Sequence, residues 1–330
     1  MARKRTTAKQ LIVIGENVNT TRRIKADSPK IVKEDGKVGW VYTDLDGTRR
    51  LLDVTDVYPT DPVNIKTERI GHIGHAVRKK DMAFLKWAIL SQVQAGSHIV
   101  DLCVDELSVY PEERLEYMRF IVRTAQELAP ETSFAIDSSD SKAIEVGLEV
   151  YDKSKSRPAI NSTSLEPGRE VLMDMAREHK CMLFANGSGV TGMPQSAAER
   201  VDNMTKCMEL MDKAGVPIED RFLDPLVFPV GAGPQFGKDY LDSVKELRDR
   251  FPDVHIFGGL SNVSFGLPRR KLLNHAFITL AIFNGCDAVM IDPLMNSPIE
   301  YVEFKLAADV MTADDAYART FLKYVRGQKK

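Results

Sequence analysis

The sequence predicts a single (β/α)8 barrel, because eight short apolar segments alternate with stretches of helical periodicity along its 330 residues. An apolar run without polar alternation is typical of a strand buried on both faces, as in parallel sheets covered by helices. Eight such units favour a closed barrel, and an open doubly wound sheet is the alternative at this level. The predicted strands span 11–14, 98–102, 133–137, 158–161, 181–185, 221–224, 255–258 and 288–292.

The composition excludes several classes of protein. The net charge is only -2 with 28% charged residues, so no strong field favours nucleic acid or an anionic membrane as a partner. The four cysteines form no C-x-x-C pair, which indicates a reducing compartment and argues against a disulfide scaffold. No apolar run approaches the roughly 18 residues of a membrane span. These features predict a soluble, cytoplasmic protein.

Residues 25–80 interrupt the alternation of strands and helices, between the first strand and the first long helix. Two strand-like runs, 38–42 and 50–54, flank Asp46-Gly47, which is a two-residue hairpin signal. We therefore predict a hairpin-containing insertion inside one domain that covers 1–330. It leaves the C-terminal end of strand 1, where barrels carry their active sites. It is either an arm that packs on the protein or a partner, or a lid over the substrate.

Polar side chains follow the predicted strands, where the loops of a barrel carry catalytic groups. For any one of them the alternative role is a helix N-cap, and Ser138, Ser141 and Ser162 are predicted to be caps. Asp101 lies inside an apolar run, where a buried carboxylate requires partners or a ligand. The candidates for a shared polar site are Glu16, Asn17, Asn19, Asp101, Asp137, Asp140, Asn161, Asn186, Asp224, Ser261 and Asn262.

The residue types in this ring suit a flat heterocycle with several N–H donors better than a metal ion. The six histidines do not cluster at strand ends, and no H-E-x-x-H, G-x-S-x-G or P-loop motif is present. His72 and His75 have a spacing that could bind metal, but a third ligand is lacking. We therefore predict no metal site, and a pterin, which presents a 2-amino group, N3–H and N8–H, fits the acceptors.

Seven segments, taken in order, resemble the pterin-binding methyltransferases that work with corrinoids. That family includes the methyltetrahydrofolate:corrinoid/iron–sulfur protein methyltransferase and the folate domain of cobalamin-dependent methionine synthase. The block from Gly259 to Gly266 is the most specific of the seven. The resemblance covers about residues 11 to 295 apart from the insertion, and it implies a dihydropteroate-synthase-like barrel. The segments are 14–20, 100–104, 136–144, 159–163, 191–194, 223–226 and 259–266.

The resemblance also implies residue roles. Asn262 would reach N5 of the pterin, Asp101 and Asp224 would join it in catalysis, and Arg270 would sit at the mouth of the pocket. Two positions depart from the family: Cys103 stands where Asn is usual, and Asp140 where Asn is frequent. The implied pterin-binding set is Asn19, Asp101, Asp137, Asp140, Asn161, Asn186, Asp224, Ser261, Asn262 and Arg270.

The implied reaction exchanges a methyl group between N5 of tetrahydrofolate and the cobalt of a cobalamin. No D-x-H-x-x-G cobalamin pattern occurs in the chain, so a separate corrinoid protein would carry the cobalt and dock transiently. A free-standing chain favours the methylcorrinoid:tetrahydrofolate step of a demethylation system, and the family implies a homodimer. The alternatives are a tetrahydromethanopterin-dependent methyltransferase, a non-catalytic barrel and dihydropteroate synthase. The last of these needs cationic groups for its pyrophosphate leaving group, and no Lys or Arg cluster is expected after strands 7 and 8.

Overall fold

The computed structural model describes residues 11–327, where thirteen strands and eleven α-helices follow one another. The strands are β1 (Ile12–Asn19), β2 (Ile24–Lys25), β3 (Ile31–Glu34), β4 (Lys37–Thr43), β5 (Arg49–Asp53), β6 (Arg69–Ile70), β7 (Ile99–Cys103), β8 (Ser133–Asp137), β9 (Ala159–Thr163), β10 (Met182–Asn186), β11 (Arg221–Asp224), β12 (His255–Ile256) and β13 (Ala288–Ile291). The helices are α1 (Pro62–Thr67), α2 (His72–Lys79), α3 (Met82–Gln94), α4 (Pro111–Leu128), α5 (Ser141–Val150), α6 (Val171–His179), α7 (Ala197–Ala214), α8 (Phe236–Arg250), α9 (Arg270–Asn284), α10 (Pro298–Met311) and α11 (Arg319–Gly327). Within these residues no helix is both long and apolar enough to cross a bilayer.

Eight of the strands form one sheet in the order β12-β11-β10-β9-β8-β7-β1-β13. A parallel bridge between Gly259 and Met290 links the chain after β12 to β13, which is the opposite end of that order. Each of these strands is followed by helical structure before the next one begins. The fold class is therefore the (β/α)8 TIM barrel, as the sequence predicts.

The described residues divide into two compact units. The first contains residues 11–15, 95–99 and 159–327, and the second contains 16–94 and 100–158. Residues 1–10 and 328–330 lie outside the described part, so a single domain covering 1–330 stays a prediction.

The strands of the first unit are apolar because they are covered on both faces. Phe184, Phe222 and Phe257 are each at most 2% exposed. The Phe184 ring centroid lies 5.0 Å from that of Phe222 and 4.8 Å from that of Phe257. Side chains of this size bury enough apolar surface to dominate the local packing. This burial explains why these strands show continuous apolar runs in the sequence.

A buried ion cluster ties β12 to β13 at the start of both strands. One carboxylate oxygen of Asp287 accepts from Arg248 at 2.9 Å and from the backbone N–H of Ile256 at 2.8 Å. The other lies 2.9 Å from Nδ1 of His255. Burial raises the pKa of Asp287, but the His255 hydrogen bond and the Arg248 charge outweigh it, and the pKa is lowered overall. The carboxylate is therefore ionised at neutral pH.

We expect Asp287→Asn to lower the free energy of unfolding by about 3 kcal/mol at pH 7, because the variant leaves Arg248 buried without its counter-ion. The lowered pKa means that the stabilisation is present above the unfolded pKa of about 4 and is lost as the pH falls through the folded value. Urea unfolding followed by circular dichroism measures both effects. Asp242→Asn, which removes an exposed partner of Lys238, is the control. Equal losses in the two variants would contradict the assignment.

The predicted hairpin of the insertion is present in the second unit, but it belongs to a larger sheet. β4 pairs with β5 and also with β3, which gives three antiparallel strands. The β4–β5 connection runs over residues 44–48 and is longer than the two residues predicted. The Asp46 carboxylate accepts from the Thr48 N–H at 2.8 Å, and Gly47 has a φ of 84°. These side-chain and backbone bonds form the turn within the loop, so Asp46-Gly47 does not join the strands directly.

Aromatic side chains fix this sheet to helix α3 within the second unit. The ring centroids of Trp40 and Phe84 are 5.6 Å apart, and those of Tyr42 and Trp87 are 4.8 Å apart. Trp40 and Tyr42 are each 6% exposed, so the contact is dry. Contacts of this kind are worth about 0.5–1.5 kcal/mol each beyond the area that they bury. This packing favours the arm over a lid, and the role of the insertion stays a prediction.

Several element boundaries differ from the sequence prediction. β1 extends to Asn19, so Glu16, Asn17 and Asn19 belong to the strand instead of following it. Pro268 is predicted from the sequence to lie in the first turn of a helix, but α9 begins two residues later, at Arg270.

The sequence Ser196-Ala-Ala-Glu199 is a capping-box pattern that predicts the start of a helix ending near Gly215, and α7 has both ends there. Ser196 accepts from the Glu199 N–H at 3.2 Å at the start, and Gly215 has a φ of 75° at the end. The Glu199 carboxylate, however, accepts from the N–H of Gln195 instead of the N–H of the capping residue. Local capping chemistry is therefore predictable from sequence to within one residue.

Candidate active site

Polar side chains of the first unit meet at the carboxyl ends of β9, β10 and β11. Asn186 and Asp224 are the last residues of their strands and lie opposite each other in register. The Asn186 amide donates to Oγ of Ser162 at 2.8 Å, and the Gly187 N–H donates to the Asp224 backbone oxygen at 2.9 Å. Ser162 lies inside β9, so its predicted role as a helix cap is wrong. The structure thus places these residues in one row, as parallel strands require.

Asp224 is the acid of this row, and its pKa is strongly shifted. Burial raises its pKa to about 7, although the N–H groups of Leu226 and Gly259 and the charge of Arg200 act in the opposite direction. The Leu226 N–H is 2.8 Å from Oδ1 of Asp224. An acid with a pKa near neutrality can change protonation state when a ligand brings donors or charge.

Gly259 connects Asp224 to Asn262. Its N–H hydrogen-bonds the Asp224 carboxylate, and its backbone oxygen accepts from the Asn262 N–H at 3.0 Å. A Cβ atom at position 259 would lie 3.0 Å from Nδ2 of Asn262. The amide side chain therefore packs closely on this backbone, and a Cβ atom at position 259 would force it to shift by a few tenths of an ångström. No role was predicted for Gly259, although it lies in the block from Gly259 to Gly266 that carries the most specific part of the family resemblance.

Arg270 holds the short 3-10 helix Leu260–Ser264 that carries Asn262. Its guanidinium donates to the Ser261 backbone oxygen at 2.9 Å and to Oγ of Ser264 at 3.0 Å, and stacks 4.6 Å from the Phe265 ring. Arg270 therefore supports the Asn262 backbone. The Ser261 hydroxyl is buried and has no hydrogen-bond partner in the described part of the chain. Such an unpaired group is rare in cores and requires an explanation.

Arg269, Arg270 and Lys271 form a cationic tract at the start of α9, after β12. No Lys or Arg cluster was predicted after strands 7 and 8, and for strand 7 this prediction is wrong. The first and last residues of the tract border a cavity of about 430 Å³ beside this helix start. The cavity is lined by Arg269, Lys271, Leu272, His275, Asn296, Glu300 and Tyr301.

The second unit holds its own group of acids around Cys103. Asp101 is only 1% exposed on β7, and Asp137 is the last residue of β8. Burial raises the pKa of Cys103 well above its usual value, and the negative charges of Asp137, Asp105 and Asp101 raise it further. The thiol therefore remains neutral and is not a nucleophile at pH 7.

Asp140 has a structural role in this unit. It is the N-cap of α5, and its carboxylate accepts from a backbone N–H of the first turn at 2.9 Å. Ser138 instead donates to Asp105 at 2.6 Å and accepts from the Asp140 N–H at 3.0 Å. Ser141 is already the first helical residue. The predicted caps Ser138 and Ser141 are therefore wrong, because the extended backbone that a cap requires occurs at 140.

Two further predicted residues occupy strands. The Asn19 side chain accepts from the N–H and the hydroxyl of Thr21, at 2.9 and 2.7 Å. Asn161 lies in β9, next to Ser162, whose backbone oxygen accepts from Arg169 at 3.1 Å. Within the described residues, no group of three or more His, Cys, Asp or Glu side chains could hold a metal ion.

The sequence matches the family described as pterin binding enzymes over residues 76–292. This chain belongs to that family, which confirms the resemblance inferred from the seven segments.

Two characterised relatives are similar to this chain. The methylcorrinoid:tetrahydrofolate methyltransferase of Eubacterium limosum is 29% identical over 257 residues, which cover 77% of this chain and 91% of that protein. The methionine synthase of Mycobacterium tuberculosis (strain ATCC 25618 / H37Rv) is 27% identical over 215 residues, 61% of this chain and 17% of that much longer protein.

Solved structures agree on the fold. The dihydropteroate synthase of Coxiella burnetii in complex with pteroic acid has a TM-score of 0.55 at 11% identity and covers 91% of this chain and 94% of that one. That of Yersinia pestis with a pterine-sulfa conjugate has a TM-score of 0.54 at 16% identity, covering 71% and 89%. These likenesses confirm the dihydropteroate-synthase-like barrel and extend to the fold alone.

Asp224→Asn tests the raised pKa of this acid. A folded-state pKa above the unfolded value means that the stabilisation by protonated Asp224 is complete below about pH 4 and is lost as the pH rises through about 7. Asparagine avoids burying a charge, so we expect the variant to be more stable than the wild type by about 2 kcal/mol at pH 8 and similar to it at pH 4. Thermal unfolding across this pH range measures the difference. A wild-type advantage at pH 8 would refute the assignment.

Proposed function

We propose that this protein transfers a methyl group between the cobalt of a corrinoid protein and N5 of tetrahydrofolate. The proposed direction is from the methylated corrinoid to tetrahydrofolate, as the step of a demethylation system that follows release of the methyl group from its donor. Support comes from membership of the pterin binding family and from similarity to a methylcorrinoid:tetrahydrofolate methyltransferase over 91% of that relative.

The observation that carries the proposal is that Asp224 and Asn262 both contact the backbone of Gly259. A pterin ring presents N–H donors along one edge, which the Asp224 carboxylate can accept, and N5 lies on the other ring. An acceptor and an amide held by one rigid backbone can orient both features of the ring together. Such orientation lowers the barrier by removing rotational freedom before the reaction.

The reaction requires control of charge at N5. As the N5–methyl bond forms, the cobalt–methyl bond breaks with its electron pair left on cobalt, and the N5 proton is released. The Asn262 amide can accept a hydrogen bond from N5–H or donate one to the N5 lone pair after rotation. An interaction that strengthens along the reaction accelerates it, whereas one of equal strength throughout only improves binding.

The remaining residues that the resemblance implies are proposals within each unit. In the second unit, Asp101 and Asp137 are proposed to accept hydrogen bonds from a pterin, with polar contacts from Asn19 and Asp140. In the first unit, polar contacts are proposed for Asn161, Asn186, Ser261 and Arg270. Cys103 places a neutral thiol where the family usually has asparagine, so one neutral hydrogen-bonding group replaces another. The pterin is tetrahydrofolate in this proposal, with tetrahydromethanopterin as the alternative.

One observation favours a dihydropteroate synthase reaction instead, namely the cationic tract at 269–271. That reaction expels pyrophosphate and needs cations to receive it. Arg270, however, is already bonded to Ser261 and Ser264. Incubation with a dihydropterin pyrophosphate and p-aminobenzoate separates the two, and product formation there would overturn the methyl-transfer proposal.

Asn262→Ala is the sharpest test of the methyl-transfer proposal. We expect the rate of methyl transfer from methylcobalamin to tetrahydrofolate to fall by roughly 100-fold, because the hydrogen bond that responds to N5 is lost. The dissociation constant for tetrahydrofolate should change by less than about fivefold. The cobalamin absorbance change measures the rate, and calorimetry measures binding.

Asn284→Ala is the matched control, since this asparagine ends α9 at the surface and its side-chain amide donates to the Leu280 backbone oxygen of its own helix. It should keep the wild-type rate. Equal losses of rate and affinity in Asn262→Ala would count against the role at N5.

The predicted homodimer is also a proposal. Leu272, Leu280 and Phe283 are 53%, 49% and 55% exposed along α9. Exposed apolar side chains that cluster in this way are typical of interaction surfaces. We expect Leu280→Lys combined with Phe283→Lys to convert a dimer into a monomer, as measured by light scattering after gel filtration. A wild type that is monomeric at about 50 μM would contradict this proposal.

A further inference from the structure

Arg200 on helix α7 is a cation buried behind the candidate site, with an exposed fraction of 0%. Its Nε donates to the Leu226 backbone oxygen at 3.4 Å, and its Nη1 lies 3.7 Å from the Asp239 carboxylate. Its guanidinium also stacks 4.9 Å from the Phe228 ring. Neither Nη atom has a hydrogen-bond partner within residues 11–327. A buried cation with so few partners is costly for stability and requires an explanation.

Leu226 is the physical link between Arg200 and Asp224. Its N–H donates to the Asp224 carboxylate at 2.8 Å, and its backbone oxygen accepts from Arg200. Leu226 has a φ of 70°, a left-handed conformation that leucine rarely adopts. The bonds at both ends of this residue hold it there, so the position of the carboxylate depends on the guanidinium.

We propose that Arg200 is a positioning residue for Asp224, which holds the Leu226 turn in place and supplies the positive charge that keeps the Asp224 carboxylate able to accept hydrogen bonds from the pterin. The identity of that ligand rests on the proposed function, whereas the relation between Arg200 and Asp224 does not.

The charges around Asp224 determine the direction in which its pKa should change when Arg200 is replaced. Arg200 is the cation that lowers the pKa of Asp224, and Asp239 and Glu199 partly offset that cation. Tyr240 on α8 and Cys286 before β13 also face Asp224. Burial keeps both neutral, because it raises the pKa of Tyr240 far above its usual value and that of Cys286 to about 12.

Two substitutions should therefore act in opposite directions. Arg200→Met removes the cation, so Asp224 should ionise only at higher pH and the ligand should bind more weakly at pH 7. Asp239→Asn removes a charge that competes for Arg200, so Asp224 should ionise at lower pH. Arg200→Lys keeps the charge and should rescue most of the effect. A residue that serves only for packing would not give shifts of opposite sign.

The experiment follows two readouts between about pH 5 and 9. The first is the infrared carboxyl band of Asp224 in the ligand-free protein, identified by its absence in Asp224→Asn. The second is calorimetric binding of 5-methyltetrahydrofolate. We expect the midpoint of the carboxyl titration to rise by about 1 pH unit or more in Arg200→Met and to fall by about half a unit in Asp239→Asn. The binding profile should shift with it, about tenfold in affinity at pH 7 for Arg200→Met.

Identical midpoints in the wild type and Asp239→Asn, or a shift of Asp239→Asn to higher pH, would overturn the proposal even if Arg200→Met does not fold. Shifted carboxyl midpoints without any folate binding would support the Arg200 assignment and overturn the proposed function instead.

Discussion

The candidate site depends on one half-buried carboxylate. Asp224 is held among apolar strands, where desolvation favours its neutral form, while two backbone N–H groups and the Arg200 charge favour its ionised form. These opposing effects are close to balance, which gives a pKa of about 7. A carboxyl group in that balance can be neutral in the free protein and ionised when donors of a ligand reach it. The cost to stability is the usual consequence of placing a reactive group in a core.

Two arginines support the loops of the candidate site, each by donating to a backbone oxygen of one loop. Arg200 donates to the backbone oxygen of Leu226, and Arg270 donates to that of Ser261. Each fixes a short loop that carries a site residue, Asp224 in one case and Asn262 in the other. A guanidinium suits this task because its planar donors hold a fixed geometry and its charge persists when it is buried. The loops at the strand ends therefore behave as rigid parts of the barrel, as orientation of a small ring requires.

In the second unit, a residue that was predicted to bind the ligand serves as a helix cap. Asp140 was expected to bind the pterin, and its carboxylate also caps α5. Asp105, to which the sequence analysis gave no role, receives hydrogen bonds from Ser138 and Ser139. A carboxylate has several lone pairs, so a cap at one oxygen leaves the other able to accept from a ligand.

The sequence alone determined where the eight strands of the barrel lie, because a strand buried on both faces is apolar over consecutive residues. The polar residues at the ends of β10 and β11 and the two ends of α7 were predictable for the same reason, since each depends on neighbours within one turn or strand. Tertiary structure decided the rest. The role of Gly259, the burial of Arg200 and the pKa of Asp224 arise from residues such as Arg200 and Leu226, which lie 26 positions apart and meet only after folding. Burial and charge depend on residues that are distant in the sequence, so no local sequence pattern predicts the pKa of Asp224 or the burial of Arg200.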